Sequence, residues 1–321
     1  MDLTYSTPPT LTMLVGVSYS GKSYFAQQLS RQINAKVLSS DQLRKELYGD
    51  EETQEHNQEL FEILHKRIKQ YLMSGISVIY DATNLNSKRR EAFLKELESV
   101  RCNKACVIVA TPIEVLKNRA KKRQRVVPWS VVESQIKNFN CPHMSEGWDY
   151  IWIKDSGNVT KSKAMFRYLK LFAKLGKSIF IKHDNPNHSK TIGCHMISAL
   201  RYYWKNYCPV YSKYVVSNAV LFHDIGKPFC KSFENTKGII TEKAHFYSHE
   251  NASSYIWIAN SSLFNDTSRL TVGALINWHM KPYLMSEKSL LKFCNKVRGT
   301  LGGNMMIKML SDIHECDKSA H

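Results

Sequence analysis

Gly16-Val17-Ser18-Tyr19-Ser20-Gly21-Lys22-Ser23 decides how the first half of this chain folds. The octet satisfies G-x-x-x-x-G-K-[ST] in full. Leu11 to Val15 (LTMLV) before it is a short apolar, β-branched run that predicts a buried strand. Tyr24-Phe25-Ala26-Gln27-Gln28-Leu29 after it predicts the first turns of a helix. A strand, a glycine-bounded loop and a helix N-terminus together make a phosphate cradle. The glycines let the backbone curl until its N–H groups point inward, Lys22 brings a mobile charge for the β- and γ-phosphates, and the Ser23 hydroxyl suits Mg²⁺. The candidate nucleotide-binding residues are Gly16, Ser18, Gly21, Lys22 and Ser23, and the expected ligands are ATP and Mg²⁺.

Further strands follow. Ala35 to Ser40 predicts a second one, and a short helix starting at Asp41 (DQLRKEL) comes next. The plain reading of Asp41 is an N-cap. The functional reading notes its place at a strand's C-terminal end, where doubly wound sheets build their sites and where it can take a proton from an attacking hydroxyl. Apolar positions Leu60, Leu64, Ile68, Tyr71 and Leu72 give residues 51–73 a helical period. Ile76 to Tyr80 then delivers Asp81 at the end of a third strand, with Asn84 to Arg90 supplying polar and basic groups at the same rim. Ala105 to Ala110 is a fourth strand. Residues 112–125 predict a helix crowded with cations, in which Arg119 and Arg123 share one face and Arg125 lies just before Val126-Val127-Pro128. A phosphoryl-transfer site needs an arginine against the charge that develops on the transferred group, and a mobile basic helix can supply it.

The 321 residues suggest two domains, each large enough to bury a core. No apolar run approaches the roughly 20 residues of a membrane span. The stretch MDLTYSTPPT lacks the basic and apolar regions of a signal peptide, and the eight cysteines include no C-x-x-C pair. Reduced thiols in an intracellular, cytoplasmic protein are therefore expected. Charge is distributed unevenly. Residues 1–155 carry 22 Lys and Arg against 18 Asp and Glu, a balance of +4, whereas residues 156–321 carry 23 against 10, a balance of +13. Nine of the twelve histidines also fall in the second part. So basic a half favours a polyanionic partner such as nucleic acid, and the plainer alternative is that the charge only aids solubility.

Four stretches of the first half carry a family resemblance. GVSYSGKS, SSDQLRKEL, VIYDATNLNSKRR, and NRAKKRQRVVPWSVV followed by SEGWDYIWI resemble, in order and spacing, the phage-type polynucleotide 5′-kinases. The resemblance spans roughly residues 10–155. It implies that Asp41 is the general base for a 5′-hydroxyl and that Arg44 holds the neighbouring acceptor phosphate. It makes Arg123 the lid arginine on the ATP phosphates, in preference to Arg119 or Arg125. Asp81 matches the family's D-[AT]-x-N-L-N region, and either holds Mg²⁺ through water or positions the acceptor. Tyr19 is bulkier than the residues usual in this loop.

A polar linker is expected at 156–163, and beyond it helical periods dominate. Met165, Leu169, Phe172 and Leu175 mark one amphipathic face, and this half is expected to be all-α. Its chemistry is a scatter of His188, His195, His223, Asp224, His249, His279 and Asp317. A lone histidine is usually a satisfied core or surface residue. The adjacent His223-Asp224 pair is more telling, because an apolar helix stopped by Gly226 and Pro228 would bury both groups, at a cost unless a cation or hydrogen bonds compensate. Imidazole and carboxylate ligands suit Mn²⁺, Fe²⁺, Co²⁺, Ni²⁺ or Zn²⁺.

NPNHSKTIGCH, LFHDIGKP, HFYSHENAS, INWHM and ECDKSAH are similar to elements of the HD-domain metal phosphohydrolases. The resemblance covers roughly residues 165–321, and it is nearest in wording to the HD domains appended to some tRNA nucleotidyltransferases and to polynucleotide kinase in bacterial and phage RNA repair proteins. It implies a first metal site of His195, His223, Asp224 and Asp317. It adds a second of His249 and His279 bridged by Asp224, with Lys227 and His188 toward a substrate phosphate. Asp312 rivals Asp317 for the final carboxylate, and Cys194 replaces the acidic residue common before the first histidine. Joined, the two resemblances imply RNA or DNA end healing, with 5′-OH phosphorylation by ATP and removal of 2′,3′-cyclic, 2′- or 3′-phosphates, and a separate ligase as partner. Two other readings are a nucleoside or small-molecule kinase fused to a nucleotide phosphohydrolase, and a non-catalytic ATP-dependent nucleic-acid-binding switch. The first predicts equal activity on free nucleosides. The second predicts binding with no change at either strand end.

Overall fold

The computed structural model describes residues 7–50, 56–123, 127–186, 189–207 and 213–320. Arg125 and His188 therefore lie outside the described residues. The elements in chain order are β1 (Thr10–Val15), α1 (Lys22–Ile33), β2 (Lys36–Ser39), α2 (Ser40–Tyr48), α3 (Asn57–Met73), β3 (Val78–Asp81), α4 (Ser87–Glu96) and β4 (Asn103–Ala110). Then come α5 (Ile113–Ala120), α6 (Trp129–Lys137), β5 (Tyr150–Asp155), α7 (Lys161–Ser178), α8 (Ile192–Asn206), α9 (Lys213–Phe222) and α10 (Lys227–Cys230). The chain ends with β6 (Ser232–Glu234), β7 (Ile240–His245), α11 (His249–Asn260), α12 (Asp266–Trp278), α13 (Lys281–Leu284), α14 (Glu287–Arg298) and α15 (Gly303–Lys318). Packing divides the chain into two units, Met1–Val109 with Glu146–Ser156, and Ala110–Ser145 with Gly157–His321.

The first unit is built on a five-stranded sheet in the order β2-β3-β1-β4-β5. β1 pairs in parallel with both β3 and β4, and β2 in parallel with β3. Apolar strands buried on both faces need this cover of helices. Leu14, Ile79 and Val107 on neighbouring strands pack with Ala26 of α1 and Ala35, and Phe25, Leu29 and Trp152 close the edge of that cluster. α3 buries Leu60, Leu64, Ile68 and Leu72 at the expected period. Because β1, β2 and β3 run the same way, their C-terminal ends deliver the loop at 16–21, Asp41 and Asp81 to one edge of the sheet.

Two local readings change. Helix α2 is preceded by Ser39 at the N-cap, so Asp41 sits inside its first turn, where a carboxylate complements the helix dipole. Arg90, expected at the polar rim, is buried. Its Nη2 and Nε meet the Glu146 carboxylate at 2.6 and 2.8 Å, Nη1 donates to the carbonyls of Asn84 and Leu85, and Glu146 also accepts from Trp148 Nε1. The guanidinium thus fixes the turn after β3, and so fixes the backbone beside Asp81.

The second unit is mostly helical, but not wholly so. β6 and β7 form an antiparallel hairpin between α10 and α11. α11 packs along α12, and α9 against α8 and α12. Residues 110–145 pack with these helices through polar bonds. Tyr255 Oη donates to the Thr111 carbonyl at 2.8 Å, and Asn251 Nδ2 to that of Lys137 at 2.7 Å. Asn277 Nδ2 reaches Asn251 Oδ1 at 2.7 Å, and Lys174 pairs with Glu114 at 2.8 Å. The basic helix expected over 112–125 ends at Ala120. α7 buries Ala164, Leu171, Leu175 and Ser178, whereas Met165, Leu169 and Phe172 of the expected apolar face are exposed. Among the described residues no helix is long and apolar enough to cross a membrane.

Candidate functional sites

In the first unit, α1 starts at Lys22 straight after Gly21, whose φ of 98° lies in the left-handed region. Its first turn has neither a side-chain cap nor an acidic residue, so the positive end of its dipole suits an anion. A Cβ on Gly16 would crowd Ser20 Oγ at 3.0 Å and the Val109 carbonyl oxygen at 3.1 Å. The Gly16 N–H donates to the Thr83 carbonyl at 3.0 Å, tying the loop to the segment after β3. Lys22 Nζ folds back onto the Val17 carbonyl at 2.9 Å. Tyr19, buried within the loop, holds φ at 65°, a conformation that costs a bulky L-residue about 1–2 kcal/mol.

Asp81 is buried beside this loop, where it hydrogen-bonds the Ser23 side chain and senses the charges of Lys22 and Asp41. Burial raises its pKa above the ordinary carboxylate value, Lys22 and Ser23 oppose that rise, and Asp41 adds to it. A hydroxyl and a carboxylate so placed next to a phosphate loop are the donor set that Mg²⁺ takes in a nucleotide site. Half-exposed Asp41 accepts from Arg44 Nη1 at 3.1 Å, and Arg44, itself buried, donates from Nη2 to Asn57 Oδ1 at 3.0 Å. Asn57 had no signal in the sequence. It becomes relevant only because the start of α3 lies against α2. Arg119 and Arg123 belong to the second unit. Arg119 lies close enough to act on the Tyr255 hydroxyl, and Arg123 is exposed beyond the end of α5.

The second unit gathers the scattered ligands of the sequence into one buried cluster. His195 comes from α8, His223 and Asp224 from the end of α9, His249 from α11, His279 from the end of α12 and Asp317 from α15. Ligand atoms of His195, His223, Asp224 and Asp317 all lie within 4.8 Å of one another, and so do those of Asp224, His249 and His279. Asp224 belongs to both groups. Its Oδ2 faces His223 Nε2 at 3.3 Å and His195 Nε2 at 3.6 Å, and its Oδ1 faces His249 Nε2 at 3.2 Å and His279 Nε2 at 3.7 Å. Asp317 Oδ1 stands 2.8 Å from His195 Nε2 and 3.3 Å from His223 Nε2. Asp312 is not in either group. The Asp224 turn is held by Gly226, where a Cβ would meet the Ser253 amide nitrogen at 2.5 Å.

The hydrogen bonding around this cluster orients it for a cation. The Nδ1 atoms of His223, His249 and His279 lie 2.7, 2.8 and 2.7 Å from the carbonyls of Val220, Phe246 and Ile276. Each Nδ1 carries the proton for such a bond, so in the neutral ring the Nε2 lone pair points inward, as in metal-ligating histidines. Asp224 Oδ1 and the Nε2 atoms of His249 and His279 are buried without a hydrogen-bond partner, and Asp224 Oδ2 has the Lys227 ammonium beside it. Lone pairs and carboxylates so arranged fit one or two divalent transition metals. Lys227 Nζ lies 2.7 Å from Asp224 Oδ2 and 3.4 Å from His183 Nε2. Tyr283 Oη donates to Asp317 Oδ2 at 3.1 Å. His183 and Tyr283 were not singled out in the sequence, since each reaches the cluster from an otherwise unremarkable segment.

Burial opposes a charge on His223, but the adjacent Asp224 and Asp317 carboxylates outweigh it and hold the imidazole at about 10. Burial alone would raise Asp224 and Asp317, yet His223 and Lys227 keep Asp224, and His195 and His223 keep Asp317, well below the carboxylate range. His279, buried next to His223 and His249, is depressed to about 3. In metal-free protein His223 is thus protonated at neutral pH, and it must lose that proton to become a ligand. Adding Mn²⁺ to weakly buffered metal-free protein is expected to release about one proton per chain, read with a pH indicator. Binding without proton release would remove His223 from the ligand set.

Residues 11–142 match the protein-family model described as an AAA domain. The L-seryl-tRNA(Sec) kinase of Methanococcus maripaludis is 26% identical over 150 residues, which cover 43% of this chain and 56% of that protein. The chain thus spans about half the length of this curated relative. Among solved structures, a chain of the Pnkp1/Rnl/Hen1 RNA repair complex is similar at 22% identity and a TM-score of 0.37, covering 43% of this chain and 46% of its own. The APS kinase CysC of Mycobacterium tuberculosis is similar at 19% identity and 0.36, with 47% and 92% covered. A fungal RNA kinase is similar at 10% identity and 0.34, with 52% and 87% covered. The first unit, with its five-stranded sheet and its loop at 16–23, has a P-loop α/β fold and is similar to kinases.

Proposed function

We propose that this chain heals nucleic-acid ends, phosphorylating a 5′-hydroxyl with ATP in its first unit and removing a 2′,3′-cyclic, 2′- or 3′-phosphate in its second. The observation that supports this reading is the coexistence of a phosphate loop beside Lys22 and Asp81 with a buried His and Asp cluster around Asp224 that could hold metal. Lys22, the amides of the loop and the N-terminus of α1 bind the nucleotide phosphates, with Ser23 and Asp81 holding Mg²⁺. Asp41 takes the proton of the acceptor hydroxyl, and Arg44 steadies Asp41 and the acceptor's phosphate. Arg123 is the lid arginine of this reading. In the second unit His195, His223, Asp224 and Asp317 hold one metal, and Asp224, His249 and His279 a second. Bound divalent metals supply water activation and a clamp on the phosphate. Lys227 stands at the edge of this cluster to pair with a phosphate oxygen, and Tyr283 orients Asp317.

The +13 balance of residues 156–321 supports a polyanionic strand as substrate. One RNA bearing a 5′-OH and a 2′,3′-cyclic phosphate, incubated with ATP, Mg²⁺ and Mn²⁺, Co²⁺ or Ni²⁺, tests the whole proposal once both ends are resolved. Conversion at both ends is the expected result. Failure at both ends would sink it.

A further inference from the structure

A cavity of about 580 Å³ opens beside the phosphate loop, lined wholly by residues of the first unit. Asn57, which accepts from the Arg44 that holds Asp41, forms part of its wall. Thr83 and Asn84 form another part. The Thr83 carbonyl receives the Gly16 amide, and Asn84 Nδ2 donates to the Leu14 carbonyl at 2.9 Å. The cavity therefore adjoins both the general-base candidate and the loop, at a volume typical of organic-ligand sites, which run about 300–1,000 Å³.

Its lining is aromatic. Phe61 and His65 come from successive turns of α3, Tyr80 from β3 and Phe93 from α4. His65 stacks on Phe93 with centroids 3.9 Å apart at 28°, its Nε2 lies 3.3 Å from Tyr80 Oη, and its Nδ1 lies 3.7 Å from Glu96. The imidazole is thus a fixed flat wall, and burial lowers its pKa to about 4, so it brings no charge at neutral pH. Glu62 and Glu96 also line the cavity, as do Arg89 and Arg90, the latter held by Glu146. Asn84 Nδ2 serves the Leu14 carbonyl and Asn86 Oδ1 the Arg89 amide, which leaves Asn84 Oδ1 and Asn86 Nδ2 as the acceptor and donor suited to the edge of a heterocycle.

We propose that this cavity receives the nucleobase of the acceptor's 5′-terminal nucleoside, stacked against Phe61 and His65. The proposal rests on the kinase reading of the same unit and adds what that reading lacks, a reason for the acceptor to be a nucleoside. A polyol acceptor would make no use of the Phe61 and His65 rings, and a lone phosphate would meet two carboxylates as well as Arg89. A flat heterocycle stacks on the rings and meets the amides at its edge.

The full-length protein with ATP and Mg²⁺ is offered three acceptors: a short 5′-OH RNA, the same strand with an abasic 5′-terminal residue, and free adenosine. Losing one base–aromatic stack is expected to raise KM by roughly tenfold or more, with kcat changed by less than about threefold. A 5′-terminal 2-aminopurine strand should be quenched on binding, with quenching lost in Phe61→Ala and partly kept in Phe61→Leu. Equal KM for the abasic and intact strands, without quenching, would overturn the pocket while leaving the kinase in place. Quenching that depends on Phe61, with no acceptor phosphorylated, would keep the pocket and overturn the kinase reading. Adenosine turned over as well as the strand, or far worse, identifies a free nucleoside or a strand end as the source of the base, and the pocket stands in both cases.

Discussion

Asp224→Asn is expected to lower phosphate removal at the 2′,3′ end by roughly 10³-fold or more, because several kcal/mol of metal-dependent transition-state stabilisation are lost. The carboxylate divides its oxygens between two sets of imidazoles, Oδ2 toward His195 and His223 and Oδ1 toward His249 and His279. An amide keeps only one acceptor oxygen, and its NH₂ must face either one imidazole set or the Lys227 ammonium. Whichever way it turns, one subsite is disabled. The substitution also strips buried Lys227 of its carboxylate partner, and an uncompensated buried charge costs about 3–5 kcal/mol. His249→Ala is the companion variant, since it touches only the second subsite and leaves Asp224 to Lys227. Metal content per chain, hydrolysis of a 2′,3′-cyclic end and phosphorylation of a 5′-OH end are measured on both. Full hydrolysis by Asp224→Asn would end the metal-centre reading. Loss of phosphorylation by folded protein would end the assignment of two separate sites.

The parts legible in the sequence are those in which a few neighbouring residues settle the geometry. LTMLV, the glycine-bounded loop and the helix after it fall where expected because strand, turn and helix signals are all local. The leucine and isoleucine spacing of α3 worked for the same reason. His223-Asp224 stood out because an apolar helix does not bury such a pair without cause. What stayed hidden depends on partners distant in the chain. Arg90 reads as a rim cation until Glu146, far along the chain, is seen to pair with it. α7 has apolar residues on more than one face, so hydrophobicity alone does not select Ala164 and Leu171 over Met165, Leu169 and Phe172, and of the expected face only Leu175 is buried. The hairpin of β6 and β7 is short and mostly polar, which leaves little alternation to read. Residues 110–145 pack with the helices of the second unit through bonds such as Tyr255 to Thr111 and Asn251 to Lys137, between residues too distant in the chain for a local signal to announce.

Lys22→Ala is expected to reduce 5′-phosphorylation by roughly 10³-fold while leaving phosphate removal at the other end unchanged, the size of losing one preorganised charge on a transferring phosphoryl group. The lysine lies at the first residue of α1, buried, with its Nζ lying over the Val17 carbonyl at 2.9 Å. That hydrogen bond is weak competition for a triphosphate, so the side chain is poised to swing from the loop backbone to the β- and γ-oxygens. Its charge also helps hold the carboxyl of buried Asp81 toward the ionised form, against the desolvation that raises its pKa. Removing the ammonium therefore has a second effect. Asp81 becomes easier to protonate, and its hold on Mg²⁺ with Ser23 weakens most at acid pH. The rate loss should deepen as pH falls, and added Mg²⁺ should recover part of it. Lys22→Arg keeps the charge but not the compact reach of an ammonium through the loop, so it should restore the pH profile without restoring the rate. Initial rates of 5′-phosphorylation across pH, at two Mg²⁺ concentrations, separate the two effects. A pH profile parallel to that of the unmodified protein would show that Lys22 acts on the phosphates alone, and wild-type phosphorylation by Lys22→Ala would remove the loop from the reaction.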